Sequence, residues 1–411
     1  MISIGKPYIK EVDDGTVRVC SVVNYDGKDN EIWYGVDKEY GHYLCHERAD
    51  AFLLAFLPYA MAFRHNIKID AAISEKLYYQ LKNHYIPSLA KFTNYYHNIR
   101  IKYKKLDSTN YCSSQKGVGT GFSAGVDSFY TVLKHLDGDE KTYNLTHLTF
   151  FKVGATGSFG GKSANDSYNY RVNQFRLFAE SVDLPFVTVD SNISEHARMS
   201  FNYIHTFRSM SAVLALQKLF HIYYYSSGTT LDCFSLNVVD AANYDLLSVE
   251  NFSVEGMKIY SMGLAENRLD KQEYIKDFPV TYKYLNVCNS KAYNCSRCEK
   301  CLRTMAGFDC LGVLDNYKDT FDLDYYRQNK GKCLGYLMGK RLDGTPEGGA
   351  DVALIKAMKK AGTDIPLSAY YYQIPICLKS LIFRTARNIK PIRKWYHKKM
   401  SSKSGCNYND E

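Results

Sequence analysis

Residues 119–128 read Gly-Thr-Gly-Phe-Ser-Ala-Gly-Val-Asp-Ser, where an apolar run gives way to small and hydroxyl-bearing residues. The pattern predicts a buried strand, a tight turn and then a helix over 127–136. The first N–H groups of a helix have no intrahelical acceptor, and the helix dipole adds positive potential at that end. The stretch therefore predicts an anion site, for which a pyrophosphate group is the natural candidate.

The residues of this turn suit such a ligand. Gly125 has no Cβ, so phosphate oxygens can approach the backbone closely. Ser123 and Ser128 supply hydroxyl donors, and Asp127 is suited to holding Mg²⁺ or orienting a donor. The stretch is not a Walker A loop, because no Gly-Lys-Ser or Gly-Lys-Thr follows the glycines. An ordinary strand-turn-helix with a Ser or Asp cap is the competing interpretation.

The alternation of predicted strands and helices after residue 113 predicts an α/β fold, with a parallel sheet covered by helices on both faces. Further strands are predicted at 145–151, 186–190 and 221–228, and helices at 168–182 and 207–219. Ligands bind such sheets at the carboxyl ends of the strands.

Four regions are predicted along the 411 residues. An accessory α+β domain at 1–112 has strands at 16–23 and 31–36 and helices at 49–64 and 71–84. The anion-binding α/β domain follows at 113–285. A cysteine-containing segment with helices covers 286–345, and a helical region with a basic tail covers 346–411.

Charge and cysteine usage bound the class of protein. The net charge is +9, and residues 376–411 carry nine Lys and Arg against two acids, which leaves +2 for the other 375 residues. The body of the protein is therefore not marked as nucleic-acid binding. Neither a signal-peptide pattern nor a membrane-length apolar run is present. We expect a cytoplasmic protein whose clustered cysteines bind metal instead of forming disulfides.

Four cysteines within fourteen residues predict a metal site. Cys288, Cys295, Cys298 and Cys301 include two overlapping C-x2-C steps, which allow thiolates to surround one tetrahedral ion. Four thiolates leave no open coordination position, so a structural Zn²⁺ is favoured over a catalytic one. An Fe–S cluster is the alternative occupant.

A second glycine-rich stretch, residues 154–163, reads Gly-Ala-Thr-Gly-Ser-Phe-Gly-Gly-Lys-Ser. Its spacing is one residue away from that of a Walker A loop. Since the predicted helix begins only at Tyr168, we predict a mobile loop over the active site and rank a second phosphate loop behind it.

The segment Ser123-Ala124-Gly125-Val126-Asp127-Ser128 resembles the S-x-G-x-D-S PP-loop of the ATP pyrophosphatase superfamily. Together with the cysteines it resembles the 7-cyano-7-deazaguanine synthase (QueC) branch, over about residues 117–310. Residues 207–212, 226–228 and 268–271 are similar to shorter segments of that family. The first cysteine gap is six residues instead of eight, and residues 229–233 replace the family's acidic and aromatic substrate segment.

The resemblance implies a PP-loop fold and a ligase that splits ATP into AMP and pyrophosphate. Such an enzyme adenylates a carboxylate or carbonyl oxygen of a small metabolite, and a nitrogen nucleophile then displaces AMP. ATP and Mg²⁺ would lie at residues 122–128, from Phe122 onward, with Phe150 near the nucleotide. Enlarged chains of this kind resemble QueC-like proteins of surface-polysaccharide clusters or phage-defence operons.

Catalytic roles are implied for Asp127 and Ser128, and for Arg208 and Lys271 as cations that neutralise the phosphates. The competing interpretations are structural. Arg208 would cap or pair at the surface, Lys271 would be a solvated helix charge, and Arg268 would pair with Asp270.

Two other functions compete with the amidating ligase. A tRNA sulfur transferase of the same superfamily needs a reactive cysteine, for which Cys233 is the candidate. A nucleotide-binding subunit of a multi-protein system would need no chemistry at all. The sequence also leaves a homodimer open.

The C-terminal region has an amphipathic, basic pattern. Its apolar residues lie near one predicted helical face: Leu378, Leu381, Ile382, Ala386 and Ile389. With Trp395-Tyr396 beyond Pro391, the pattern suits an anionic membrane surface. It also suits the phosphates of RNA or DNA, or a docked helix with a solvated basic end.

Overall fold

The computed structural model describes residues 1–12, 14–236, 240–288, 291–340 and 346–388, without the side chains of 346–350 and 383–388. The chain forms two compact units. The first comprises residues 1–122, 134–228 and 234–262, and the second comprises 123–133, 229–233 and the chain from 263. The predicted tail features at Ile389, Pro391 and Trp395-Tyr396 lie outside the described residues.

The first unit contains one mixed sheet of eleven strands in the described part of the chain. These strands are β1 (Ile2–Ile4), β2 (Tyr8–Val12), β3 (Thr16–Tyr25), β4 (Lys28–Asp37), β5 (Ile67–Ser74), β6 (Ile101–Asp107), β7 (Gly117–Gly121), β8 (His147–Phe151), β9 (Phe186–Ser191), β10 (Phe220–Ser226) and β11 (Lys258–Met262). Their order is β11-β10-β7-β8-β9-β4-β3-β1-β5-β6, with β2 paired to β3.

The strands from β7 onward pair only in parallel with one another, as crossover connections of this length require. β4 pairs antiparallel with β9 through Tyr34 opposite Ser191 and Gly35 opposite Asp190. This pairing joins the amino-terminal strands to the parallel strands in one sheet. The predicted α/β class is confirmed.

The helices of the described residues complete the architecture. They are α1 (Asp50–Ala62), α2 (Glu75–Gln80), α3 (Ile86–Phe92), α4 (Val126–Lys134), α5 (Lys162–Ser181), α6 (Phe201–Ala215), α7 (Asp245–Glu250), α8 (Arg268–Ile275), α9 (Val280–Tyr284), α10 (Glu299–Cys310), α11 (Leu323–Gln328), α12 (Lys330–Gly339), α13 (Pro346–Lys360) and α14 (Leu367–Asn388). None of the described helices is both long enough and apolar enough to cross a membrane.

Three predicted helices have wrong boundaries. The helix predicted at 207–219 spans Phe201–Ala215 as α6. Residues 71–74 belong to β5, whose inward positions Ile67, Ile69, Ala71 and Ile73 are buried with the period of two that a strand gives. Helix α5 begins at Lys162, six residues before the predicted start, because Gly161 ends the preceding loop with a positive φ of 93°. The second glycine-rich stretch therefore does lead directly into a helix.

The second unit is helical around α10. Arg303 on this helix donates from Nη2 to the buried Asp351 of α13 at 3.0 Å and to Glu299, one turn earlier, at 2.7 Å. Glu299 also accepts from the Tyr336 hydroxyl of α12 at 3.1 Å. These charge-assisted bonds hold three helices together at the point where α10 follows the cysteines.

Candidate functional site

The turn between β7 and α4 has a constrained backbone. Ala124 has a φ of +57°, a left-handed conformation that costs a residue with a Cβ about 1–2 kcal/mol. Its carbonyl accepts a hydrogen bond from the N–H of Asn286 at 2.8 Å. The loop of residues 123–128 is thus held in an unusual conformation by the chain just before the cysteines. Strain of this kind is concentrated at functional sites.

Two serine hydroxyls fix the shape of the 123–128 loop. The Ser128 hydroxyl donates to the carbonyl of Gly125 at 3.0 Å and accepts from the Ser123 hydroxyl at 3.2 Å and from the Ser123 N–H at 3.3 Å. Ser123 is exposed whereas Ser128 is buried. The first helical N–H groups are therefore the donors suited to an incoming ligand, and the exposed Ser123 hydroxyl can join them when it turns away from Ser128.

Gly125 is not required by the fold itself. Its φ is not positive, and a Cβ there would meet only the Ser123 Oγ, at an ordinary 3.4 Å. The missing side chain leaves open space beside the amino terminus of α4. That space fits the sequence-based expectation of a ligand close to the backbone.

Two cations of α8 converge on Asp127. Lys271 Nζ lies 3.1 Å from Oδ1 and Arg268 Nη2 lies 2.9 Å from Oδ2. Helix α8 begins with a capping box in which Asp270 accepts from the Asn267 N–H at 2.9 Å. The alternative pairing of Arg268 with Asp270 is wrong, because Asp270 caps the helix and Arg268 turns to Asp127.

Lys271 is buried beneath Gly263. Its side chain is only 3% exposed, and a Cβ at Gly263 would lie 2.8 Å from the Lys271 Cε. Gly263 also has a φ of +76°, which favours glycine. The alternative interpretation of Lys271 as a solvated helix charge is therefore wrong.

The charges around Asp127 keep it ionised. Burial opposes its ionisation, but the charges of Arg268, Lys271 and Lys300 and the hydrogen bond from Lys271 outweigh burial and lower the pKa of Asp127. Two cations thus lie within hydrogen-bond distance of one carboxylate at the amino terminus of a helix, and the charge of Lys300 acts in the same direction. Positive groups at this end of a helix suit a polyanion.

Phe122 and Phe150 are placed in the core of the first unit. The Phe122 ring stacks on Phe178 with centroids 4.3 Å apart, and the Phe150 ring stacks on Tyr168 at 5.1 Å. Both rings also make edge contacts with Phe175. Because both rings are already packed against other aromatic rings, the predicted contact of Phe122 and Phe150 with a nucleotide would be made by their backbone groups.

Arg208 lies in the first unit and is 1% exposed, so its alternative as a surface residue is wrong. Its guanidinium donates to the carbonyls of Ser158 at 3.2 Å and His196 at 3.3 Å. Burial lowers its pKa to about 10, partly offset by Tyr34. Arg208 therefore supports the loop of residues 154–161, because its guanidinium donates to the Ser158 carbonyl of that loop.

The four predicted metal ligands converge in the second unit. The sulfur atoms of Cys288, Cys295, Cys298 and Cys301 all lie within 4.8 Å of one another. Cys298 Sγ lies 3.8 Å from that of Cys288 and 3.5 Å from that of Cys301. Two ligands of a tetrahedral ion with metal–sulfur bonds of about 2.3 Å are about 3.8 Å apart. These cysteines can therefore bind one metal ion.

Backbone donors stabilise the cysteine cluster. The Lys291 N–H points to Cys288 Sγ at 3.3 Å, and the Cys298 N–H points to Cys295 Sγ at 3.2 Å. N–H groups directed at sulfur stabilise thiolates, which are the form that binds metal. Ser296, between Cys295 and Cys298, has a φ of +57°, a left-handed conformation found in tight turns.

Sequence reasoning missed four contributors to the 123–128 loop: Arg268, Lys300, Gly263 and Asn286. A signal existed for one of them. Arg268 and Lys271 are three residues apart and so share a helix face. The other three are distant in sequence and carry no local pattern.

Cys233 lies in a short turn, Leu231–Cys233, of the second unit. Its sulfur accepts from the Thr230 hydroxyl at 3.5 Å.

No protein-family model, curated protein or solved structure matches this chain. Its function must therefore be argued from its own residues.

Proposed function

We propose that this chain is a PP-loop enzyme of the QueC-like kind, an ATP-dependent ligase that forms AMP and pyrophosphate. It adenylates a carboxylate or carbonyl oxygen of a small metabolite, and a nitrogen nucleophile then displaces AMP. Surface-polysaccharide biosynthesis and phage defence are the settings that the resemblance suggests.

The observation that carries this proposal is the environment of Asp127. Arg268 and Lys271 approach it within about the length of a hydrogen bond, directly at the start of α4. A single carboxylate needs only one such partner for charge balance. The two cations beside Asp127, the open space at Gly125 and the α4 amino terminus together favour a pyrophosphate over a neutral ligand.

Each residue has a defined task in this proposal. The α4 N–H groups and the Ser123 hydroxyl bind the β- and γ-phosphates, which leave as pyrophosphate. Arg268 and Lys271 stabilise the negative charge that develops on that leaving group. Asp127 positions these two cations and is the residue suited to Mg²⁺, which would supply further charge neutralisation.

Arg208 is a positioning residue in this account, because its guanidinium is occupied by carbonyls of the first unit. Phe122 and Phe150 contribute a rigid aromatic core at the ends of β7 and β8.

Zinc is the metal that we propose for the four cysteines. Its role is structural, since four thiolates leave no position for a substrate. The cluster follows Asn286, whose N–H holds the Ala124 carbonyl. Metal binding there would order the segment that fixes the strained residue of the 123–128 loop.

Product analysis tests the reaction. The full-length protein is incubated with ATP, Mg²⁺, 7-carboxy-7-deazaguanine and ammonium, and the nucleotide products are separated. We expect AMP and pyrophosphate. The Asp127→Asn variant should lose about 100-fold or more in AMP formation, because its two cations lose their partner and their position.

Two control variants sharpen this test. Asp324→Asn changes a carboxylate that is 87% exposed and should leave the rate unchanged. Cys233→Ser should also leave AMP formation unchanged; if it abolished activity, a sulfur transferase would replace the ligase. ATP hydrolysis to ADP and phosphate would argue against the PP-loop assignment.

Metal analysis tests the zinc site. The purified protein should contain about one zinc per chain, and Cys298→Ser should lose it and about 3 kcal/mol or more of stability. Cys310→Ser is the matched control, because Cys310 is the last residue of α10 and lies outside the cluster, and this variant should retain the metal. Full zinc occupancy in Cys298→Ser would contradict the assignment.

A further inference from the structure

Helix α14 of the second unit packs one of its faces tightly on α12. Gly335 of α12 has no room for a side chain, because a Cβ there would lie 2.6 Å from the Tyr372 Cβ and 2.7 Å from the Ala369 carbonyl. A Cβ at Gly331 or Gly339, one turn away on either side, would lie even closer, 1.9 Å from the Ser368 hydroxyl and 2.4 Å from the Ile376 Cβ. Glycines four residues apart allow the two helices to approach closely, and Ala369 and Ser380 are buried.

The opposite face of α14 is apolar and exposed. Its most exposed large apolar side chains are spaced by four, three, four and four residues, which keeps them on one side of the helix. They are Leu367 (87% exposed), Tyr371 (72%), Ile374 (53%), Leu378 (58%) and Ile382 (69%). We call this set the α14 stripe. A continuous apolar stripe of this length is unusual on a protein surface and marks an interaction site.

The sequence around the α14 stripe is strongly basic. Residues 367–400 contain no Asp or Glu, and they contain eight Lys and Arg: Lys379, Arg384, Arg387, Lys390, Arg393, Lys394, Lys398 and Lys399. Lys379 is exposed on α14 beside the stripe. Apolar exposure and positive charge therefore coincide in one segment, whereas the other 375 residues before Ile376 carry only +2.

These two properties discriminate among partners. Nucleic-acid phosphates attract the charge but offer nothing to a row of Leu and Ile side chains. A second copy of the same segment would cover the stripe, but it would bring two strongly positive segments together. An anionic bilayer satisfies both properties, because acyl chains accept the apolar side chains and lipid headgroups attract the cations.

We infer that α14 binds the surface of an anionic membrane, with the α14 stripe inserted among the lipids. The packing on α12 fixes the helix to the protein, so the body of the chain is carried to the membrane. This inference does not depend on the ATP chemistry proposed above.

Vesicle co-sedimentation of the full-length protein tests the inference. Vesicles of phosphatidylcholine with phosphatidylserine are compared with vesicles of phosphatidylcholine alone, at low and at high salt. We expect binding to the anionic vesicles only, weakened by salt. The triple variant Ile374→Ser, Leu378→Ser, Ile382→Ser should bind about 100-fold more weakly, because three apolar side chains no longer enter the lipid.

A matched control removes three exposed apolar side chains elsewhere, with Tyr79→Ser, Phe92→Ser and Leu177→Ser, and should bind like the wild type. Both triple variants are surface changes, and unchanged thermal unfolding confirms that they fold. The inference is overturned by equal binding to neutral and anionic vesicles, by no binding, or by unaltered binding of the stripe variant. A wild-type dimer that becomes monomeric in the stripe variant would assign the stripe to a second copy instead.

Discussion

Two glycine-containing loops each run from a parallel strand into a helix, but they offer different backbone groups. One leads into N–H groups, and the other offers a carbonyl. The 123–128 loop follows β7 and leads into the amino-terminal N–H groups of α4, with open space at Gly125 and with Arg268 and Lys271 paired to Asp127. The 154–161 loop follows β8 and offers a carbonyl, that of Ser158, to the buried guanidinium of Arg208. One loop thus leads into N–H groups and lies beside cations, as the proposed anion site requires, and the other offers a carbonyl to a cation of the protein itself.

The difference teaches that glycine spacing alone does not define a phosphate site. The 154–161 loop has the more glycines and the Gly-Lys-Ser ending, and α5 does begin at Lys162. Yet Gly154 and Gly160 have positive φ values of 120° and 74° and are needed for the shape of the loop. Gly125 of the 123–128 loop has no such structural need.

The largest effect is expected at Lys271. Lys271→Met keeps the packing beneath Gly263 but removes a charge next to Asp127, so AMP formation should fall about 100-fold. Lys276→Met is the control. Lys276 directly follows α8 and pairs with Asp277, so its replacement should leave AMP formation nearly unchanged. Wild-type AMP formation by Lys271→Met would show that the reaction does not need this cation.

The same variant should change the pH dependence of stability. Because the pKa of Asp127 is lowered in the folded protein, its contribution is present above the ordinary carboxyl pKa of about 4 and is lost only as pH falls below it. Without Lys271 the opposing effect of burial gains weight and the pKa rises. The part of the acid-induced loss of stability that Asp127 contributes should therefore become smaller, so the variant should approach the wild type in stability as the pH falls, as thermal unfolding between about pH 3 and pH 7 can show. Identical acid profiles would mean that Lys271 does not hold the charge of Asp127.

A pair of glycine substitutions compares the two loops directly. Gly154→Ala places a Cβ 2.8 Å from the Phe201 ring and 3.0 Å from the Arg208 guanidinium, at a φ of +120°. We expect a loss of about 2–3 kcal/mol in the free energy of unfolding. Gly125→Ala should change stability by less than about 1 kcal/mol but weaken ATP binding about tenfold. The reverse pattern, with Gly125→Ala unfolding the protein and Gly154→Ala losing only ATP, would exchange the roles of the loops.

The smallest effect is expected at Ala124. Ala124→Gly relieves the left-handed strain but adds backbone entropy to the unfolded chain and removes a buried methyl group. The terms oppose one another, so chemical denaturation should show a change of less than about 1 kcal/mol. Ala124→Val, which cannot adopt this φ easily, should be clearly destabilising. Equal stability of the glycine and valine variants would mean that Ala124 is not strained.

Local patterns predicted the elements that depend on local chemistry. The strands at residues 186–190 and 145–151 and the helix after Gly125 were predictable because buried apolar runs and small-residue turns are short-range signals. The four-cysteine cluster was equally predictable from spacing. The domain boundaries and the catalytic roles remain predictions.

Long-range pairing was not predictable in the same way. Asp127 and Lys271 are 144 residues apart, and only the fold brings them together. The pairing of β4 with β9 likewise joins distant segments through only two opposed residue pairs. The docking of α14 depends on the glycines of α12, which sequence periodicity alone did not connect to it.

Calorimetric titration of a non-hydrolysable ATP analogue with Mg²⁺ tests the central claim most directly. We expect the wild-type protein to bind one analogue per chain through the 123–128 loop, and the folded double variant Arg268→Ala, Lys271→Met to bind about 100-fold more weakly. Absence of binding to the wild-type protein, or equal affinity in the folded double variant, would contradict it.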